Sequence, residues 1–194
     1  MSLVAWNCRG LGSALAVRTL ADEVRSKDPL LVFLSETKTG LNRIKGIQRK
    51  LEYTQGITVP SDGRSGGLAL LWREGFDVRL RSCSNSHIDV EIHDNSAPTP
   101  WRATGFYGQP DAAKRYISWE LLDALKAQSS LPWVVFGDFN EITHPDKKLG
   151  GPERDARQMK DFRECLSRCG LFDLGFVGQR YTWCNGRERG QRTK

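Results

Sequence analysis

The sequence predicts an α/β protein in which two packed β-sheets, mixed or antiparallel, carry helices on their outer faces, a four-layer α/β sandwich. Three observations carry that expectation. Short uninterrupted apolar runs, Leu30 to Leu34 and Trp133 to Phe136, read as strands buried on both faces. Segments 76–81 and 88–93 alternate apolar with polar residues, as strands buried on one face do. Between and after them lie stretches whose apolar residues recur at helical spacing.

Taken in order, Leu3 to Trp6 is a first strand, followed by a loop with Gly10 and Gly12. Ser13 then suits the N-cap of a helix with Val17, Leu20, Ala21 and Val24 on one face. Leu30 to Leu34 is the next strand. Strand, helix and strand at this spacing form a crossover unit, so the two strands run parallel and their carboxyl ends point the same way. Phe76, Val78 and Leu80 alternate with Asp77, Arg79 and Arg81, and Ile88, Val90 and Ile92 alternate with Asp89, Glu91 and His93. With Gly67 to Trp72 before them and Trp101 to Tyr107 after, these are expected to make an antiparallel meander. A helix from about Ala112 to Ala127, with Ile117, Leu121, Ala124 and Leu125 on its apolar face, leads into the strand Trp133 to Phe136. A last helix, from about Asp155 to Arg168, is marked by Met159, Phe162, Leu166 and Cys169.

A chain of 194 residues, 39% hydrophobic and 27% charged, is long enough to bury a substantial core, and one domain over 1–194 is the expectation. It has no apolar run of the roughly 18 residues that a membrane helix needs, and no signal peptide is expected, because Leu3-Val4-Ala5-Trp6 follows without a basic region and cleavage site. A soluble nuclear or cytoplasmic protein is expected. The five cysteines (Cys8, Cys83, Cys165, Cys169, Cys184) are scattered and odd in number, which argues against a secreted disulfide framework and for a reducing compartment. Cys165 and Cys169 stand one helical turn apart, but no second ligand pair at zinc spacing follows, so they are expected to be half-buried helix cysteines. The formal charge of +6 favours polyanionic partners. Much of it lies between Arg180 and Lys194, where five basic residues face only Glu188 and are interleaved with Tyr181 and Trp183. That mixture suits phosphate contact with base stacking, against the plainer reading of a solvated tail.

Three polar clusters share one position, the carboxyl end of a buried strand: Asn7, Glu36, and Asp138 with Asn140. Singly, each could be the turn that ends a strand. Together they form a sensible site for a hard cation, because Mg2+ prefers oxygen donors, takes one or two protein carboxylates and leaves the rest of its shell to water and substrate phosphate. Glu36 and Asp138 supply the carboxylates. Asn7 and Asn140 supply neutral groups that steady a water or a phosphate oxygen without adding negative charge. Asx and Glu without a His/Cys cluster argue against zinc there.

Trp6-Asn7-Cys8-Arg9-Gly10, Ser35-Glu36-Thr37, Gly105-Phe106-Tyr107 and Gly137-Asp138-Phe139-Asn140 occur in an order and at spacings that resemble the endonuclease/exonuclease/phosphatase superfamily. Leu171-Phe172-Asp173-Leu174-Gly175 and Tyr181-Thr182-Trp183-Cys184-Asn185-Gly186 resemble its plant non-LTR (LINE-type) retrotransposon endonuclease branch. The resemblance implies a Mg2+-dependent DNA-nicking hydrolase, with Mn2+ as a substitute metal and no small-molecule cofactor. Glu36 would be the principal metal ligand and Asn7 an assisting ligand or orienter. Asp138 would position or deprotonate the attacking water, Asn140 would hold it or the phosphate, and Tyr107 would contact the scissile phosphate or stabilise the leaving group. Arg9, Arg180, Trp183, Arg187 and Arg189 would meet the nucleic acid. DNA is the expected partner, no membrane is, and a reverse transcriptase domain encoded by the same element would accompany it. The alternatives are a non-catalytic nucleic-acid-binding remnant and a lipid or nucleotide phosphoesterase of the same fold.

The superfamily pattern closes with an Asp in a later strand and a terminal Ser-Asp-His. Neither is present before Lys194, and none of His87, His93 and His144 follows a Ser-Asp pair. The domain is therefore expected to be incomplete at its C-terminus, with its last strands missing and its activity impaired.

Overall fold

The computed structural model describes residues 2–63, 65–94, 98–175, 177–178, 181–182, 184 and 193–194. Two compact units organise them, one comprising 1–108 with 131–138, the other 109–130 with 139–194.

Among the described residues, the first unit holds eight strands and two helices: β1 (Leu3–Asn7), α1 (Ala14–Lys27), β2 (Leu31–Ser35), α2 (Leu41–Lys50), β3 (Gln55–Val59), β4 (Leu68–Trp72), β5 (Asp77–Ser84), β6 (His87–His93), β7 (Trp101–Tyr107) and β8 (Trp133–Asp138). They form two four-stranded sheets, ordered β1-β2-β4-β3 and β5-β6-β7-β8. The expected crossover is present: β1 runs parallel to β2, and between them α1 begins at Ser13, whose hydroxyl accepts from the Ala16 N–H at 3.1 Å. Among the described residues, the two mixed four-stranded sheets and the helices make the protein an α/β sandwich.

Period-two alternation in β2 and β4 builds two cores at once. Val32, Leu34, Ala69 and Leu71 turn toward α1 and α2, where Val17, Leu20, Val24, Ile44 and Ile47 meet them. Leu31, Phe33, Leu68, Leu70 and Trp72 turn the other way, onto Ile88, Val90, Ile92 and Ala103 of the second sheet. Each such side chain, fully buried, stabilises by roughly 1.5–3 kcal/mol, so these layers dominate the fold. Gly105 lies directly under the Phe33 ring, leaving no space for a Cβ.

Three expectations are corrected. The run 67–72 does not open the meander; β4 pairs antiparallel with β2 and β3, and the meander is β5-β6-β7 alone. Its five residues are all buried, so its composition suits either sheet and pairing decided between them. Leu80 is half exposed rather than inward, because the register shifts between Leu80 and Ser82. Asp89, expected on a solvated face, is fully buried. It accepts from Arg102 Nε at 2.8 and 3.0 Å and from the Thr104 hydroxyl at 2.6 Å, and the Trp133 indole N–H in turn donates to Thr104 at 2.7 Å. His87 is likewise buried, between the hydroxyls of Ser82 and Ser84 at 2.9 and 2.8 Å. Elements α2 and β3 had no clear sequence signature: α2 has only Ile44 and Ile47 buried and a glycine, Gly46, inside it.

The second unit contains α3 (Tyr116–Ala127) and α4 (Ala156–Cys169), joined face to face by Trp119 stacked on Phe162 at 4.5 Å between ring centroids. The α3 face is Trp119, Leu122 and Leu125, one position away from the expected one; Ile117 and Ala124 are exposed. On α4 the buried residue beside Phe162 is Cys165 rather than Leu166, and Cys165 and Cys169 are buried rather than half-buried. Asp155 caps α4, accepting from Arg157 N–H at 2.7 Å, and Gly170 ends it at a φ of 66°. Among the described residues, no helix is long and apolar enough to cross a membrane.

Candidate active site

Parallel pairing is what gathers the polar residues. β1 and β2 in register set Asn7 opposite Ser35, with Glu36 next along the chain, and β7 and β8 in register set Tyr107 opposite Asp138. β1 and β8 also lie against each other in the first unit. In both parallel pairs the carboxyl ends coincide.

The backbone beyond β2 is clamped from two sides. Gly10 N–H donates to Glu36 O at 2.8 Å and Leu11 N–H to Thr37 O at 2.9 Å, while Thr37 and Lys38 N–H donate to Gly67 O and Gly66 O at 3.1 and 3.0 Å. Held this way, Glu36 and Lys38 each adopt a φ of 49°, in the left-handed region that a non-glycine residue enters at a cost of about 1–3 kcal/mol. The clamp demands Gly67, whose φ is 86° and where any side chain would meet the Thr37 hydroxyl. Gly137 is the counterpart before Asp138: its φ is 142° and a Cβ would run into the Phe106 backbone.

From this frame the side chains converge. Asn7 Nδ2 donates to Glu36 Oε1 and to Asp138 Oδ2, both at 2.9 Å, so one amide bridges two carboxylates. Its oxygen accepts the Arg9 backbone N–H at 3.2 Å. The amide orientation follows, since the reverse would set acceptor against acceptor on both carboxylates. Tyr107 donates its hydroxyl to Glu36 Oε1 at 2.9 Å, and Lys38 Nζ lies 2.8 Å from Glu36 Oε2. Burial pushes the Glu36 carboxyl up, but the hydrogen bonds from Lys38, Asn7 and Tyr107 and the Lys38 charge outweigh it, holding the group below its ordinary value. Cys8 is a thiol pushed up to about 12 by burial and by the Glu36 charge, and so is not a competing thiolate.

Asn7, Glu36, Tyr107 and Asp138 are thus one hydrogen-bonded cluster in the first unit. Asn140 stands two residues beyond Asp138 at a φ of 54°, in the segment that opens the second unit. Arg9 is exposed beside the cluster, also left-handed at a φ of 49°. Arg180, Trp183, Arg187 and Arg189 lie outside the described residues. Sequence reasoning missed Lys38, for which a base two residues after a strand-end carboxylate was the available signal. It also missed Arg115, whose guanidinium donates to buried Glu141 at 2.6 Å and to Gln158 at 2.5 Å, fixing the residue after Asn140 within the second unit.

The donor set fits a hard divalent cation. Glu36 and Asp138 offer carboxylate oxygens, and the Lys38 ammonium already stands where positive charge is wanted. As placed, Asn7 turns its NH2 toward both carboxylates, so its part is that of an orienter. A separate cavity of about 520 Å³ in the second unit is lined by Thr143, His144, Lys147, Arg163 and Asp173 among others, and includes none of the expected site residues.

The family model described as "Endonuclease/Exonuclease/phosphatase family" matches residues 4–192. The sequence matches no curated protein. Among solved structures, the endonuclease domain of TRAS1, a telomere-specific non-LTR retrotransposon, is 17% identical with a TM-score of 0.70, the match covering 97% of this chain and 79% of that one. An AP endonuclease from Archaeoglobus fulgidus is 17% identical with a TM-score of 0.61, covering 91% and 70%. The AP endonuclease LMAP from Leishmania major is 14% identical with a TM-score of 0.63, covering 87% and 66%. At these identities the likeness is one of fold.

Proposed function

The chain belongs to the endonuclease/exonuclease/phosphatase family, and from that premise we propose that it is a divalent-metal-dependent phosphodiesterase that nicks DNA, as the endonuclease of a non-LTR retrotransposon does. The observation that carries the reading is the Asn7 amide bridging Glu36 and Asp138, with Tyr107 on the same Glu36 oxygen. A purely structural cluster has no need to bring two carboxylates from different sheets to one amide. The net charge of +6 and the basic residues of 180–194 favour a polyanionic nucleic acid over a lipid or nucleotide phosphoester.

In this reading Glu36 and Asp138 hold Mg2+ or Mn2+, and Asn7 keeps the two carboxylates oriented. The bound ion supplies Lewis acidity and neutralises phosphate charge. Asp138 aligns the attacking water and takes its proton, which requires a carboxylate oxygen within hydrogen-bond reach of that water. Tyr107 has a hydroxyl that can turn from Glu36 to a phosphate oxygen, adding a donor where negative charge accumulates. Lys38 can follow the same course, exchanging Glu36 for the phosphate. Asn140 holds the water or a non-bridging oxygen. Arg9 and the arginines of the C-terminal segment, with Trp183, grip the flanking strand through phosphates and base stacking.

The test is nicking of supercoiled plasmid. Activity should require Mg2+ or Mn2+, cease in EDTA, and fall by at least about a hundredfold in Glu36→Gln, which keeps size and removes the charge. Nicking that survives EDTA or that substitution excludes this mechanism.

A further inference from the structure

We propose that the second unit carries a Zn2+ site formed by Cys165 and Cys169 of α4 and Asp123 of α3, residues for which the phosphodiesterase reading has no use. Positions i and i+4 of a helix share a face one turn apart, the spacing by which helical ligand pairs chelate one ion. The third donor could not be read from the sequence around the cysteines. It arrives from α3, whose Trp119 stacks on Phe162 of α4 and so sets Asp123 over the last turn.

One ligand atom from each of Asp123, Cys165 and Cys169 lies within 4.8 Å of the other two. Cys169 Sγ and Asp123 Oδ1 are 3.6 Å apart. A tetrahedral zinc with bonds of about 2.3 Å to sulfur and 2.0 Å to oxygen holds two such donors about 3.5 Å apart. The site is closed on one side and open on the other: both cysteines are buried, whereas Asp123 is partly exposed, so a water can complete the shell from the Asp123 side.

Charge balance also fits. Two thiolates and a carboxylate carry −3, Zn2+ brings the total to −1, and the guanidinium of Arg168, bidentate on Asp123 at 2.7 and 3.3 Å, brings it to zero. That same pair fixes the carboxylate with one oxygen toward Cys169. Binding removes a proton from each S–H to solvent and forms two S–Zn bonds, with no change of oxidation state, so affinity should rise with pH.

The experiment uses the reduced full chain, with Co2+ as the spectroscopic probe for Zn2+. One equivalent of Co2+ should give a thiolate-to-cobalt charge-transfer band and the intense visible bands of a tetrahedral ion, both discharged by Zn2+. Zn2+ should also raise the melting temperature, since it binds only the folded arrangement. The band should persist in Glu36→Gln, vanish in Cys165→Ser/Cys169→Ser, and require at least about tenfold more metal in Asp123→Asn. No charge-transfer band in the wild-type chain overturns the proposal, as does a band that survives loss of both cysteines. If the double serine variant does not fold, Asp123→Asn decides, because its side chain is partly exposed: unchanged Zn2+ affinity there refutes the three-ligand site.

Discussion

Asp89→Asn should be among the most damaging single substitutions in the first unit, although the residue lies outside the candidate site. Asp89 and Arg102 are both fully buried, with Arg102 Nε 2.8 and 3.0 Å from the two carboxylate oxygens. At 2.8 Å and an effective dielectric constant of about 20, their attraction is about 6 kcal/mol, offset in part by the cost of keeping Asp89 out of water. Asparagine keeps the shape but removes the charge and turns an NH2 toward a guanidinium that keeps its own. The expected loss is about 3–5 kcal/mol, a large share of the 5–15 kcal/mol typical of a domain. In urea unfolding followed by tryptophan fluorescence, with a slope of about 2 kcal/mol/M, the midpoint should fall by about 1.5–2.5 M. Removing both charges in Asp89→Leu/Arg102→Met should restore stability to within about 2 kcal/mol of wild type, because no unpaired ion is then buried. The network joins β6, β7 and β8 through Thr104 and Trp133, so the same loss should loosen the strands that deliver Tyr107 and Asp138. A loss below about 1 kcal/mol, or a double variant no better than the single one, refutes the argument that charge rather than packing holds these strands.

Three further outcomes are expected. Because the Glu36 carboxyl lies below its ordinary value when folded, it stabilises the protein above the unfolded-state value, and that contribution is lost as pH falls through the folded one. Lys38→Met leaves burial less opposed and raises the folded value toward the unfolded one, so the stability lost on acidification should be smaller, and its loss complete at a higher pH, than in wild type; coincident curves would show that Lys38 does not govern Glu36. Gly137→Ala sets a methyl against the Phe106 backbone at a φ of 142° and should lower stability by about 1–3 kcal/mol or more, read as a lower melting temperature. Replacing Arg180, Arg187 and Arg189 by Gln should reduce the slope of log affinity for DNA against log salt by about 0.9 per lost phosphate contact, and an unchanged slope would mean that these arginines are merely solvated.

The residues of the candidate cluster were legible in the sequence because each follows a strand whose apolar run announces it: Asn7 after Leu3 to Trp6, Glu36 after Leu30 to Leu34, Asp138 after Trp133 to Phe136. The crossover rule supplied the parallel register that aligns the first two. Ser13, Val17, Leu20 and Val24 likewise declared α1 by capping and period alone. Such features are local, and in α1 local spacing fixed which face each residue takes. What pairs with what is not local. The run 68–72 is equally apolar for either sheet, and only the competition for partners placed it between β2 and β3. Asp89 reads as solvated on an alternating strand, yet it is buried because Arg102, on the neighbouring strand β7, meets it. Lys38 on Glu36, the Asn7 amide bridging to Asp138 across 131 residues, and Asp123 beside two cysteines of another helix are all contacts between distant segments. Apart from α2 and β3, sequence determined the elements and the chemistry at their ends. Tertiary structure decided the partners, because hydrogen bonds and ion pairs act over a few ångströms of space, whatever the separation along the chain.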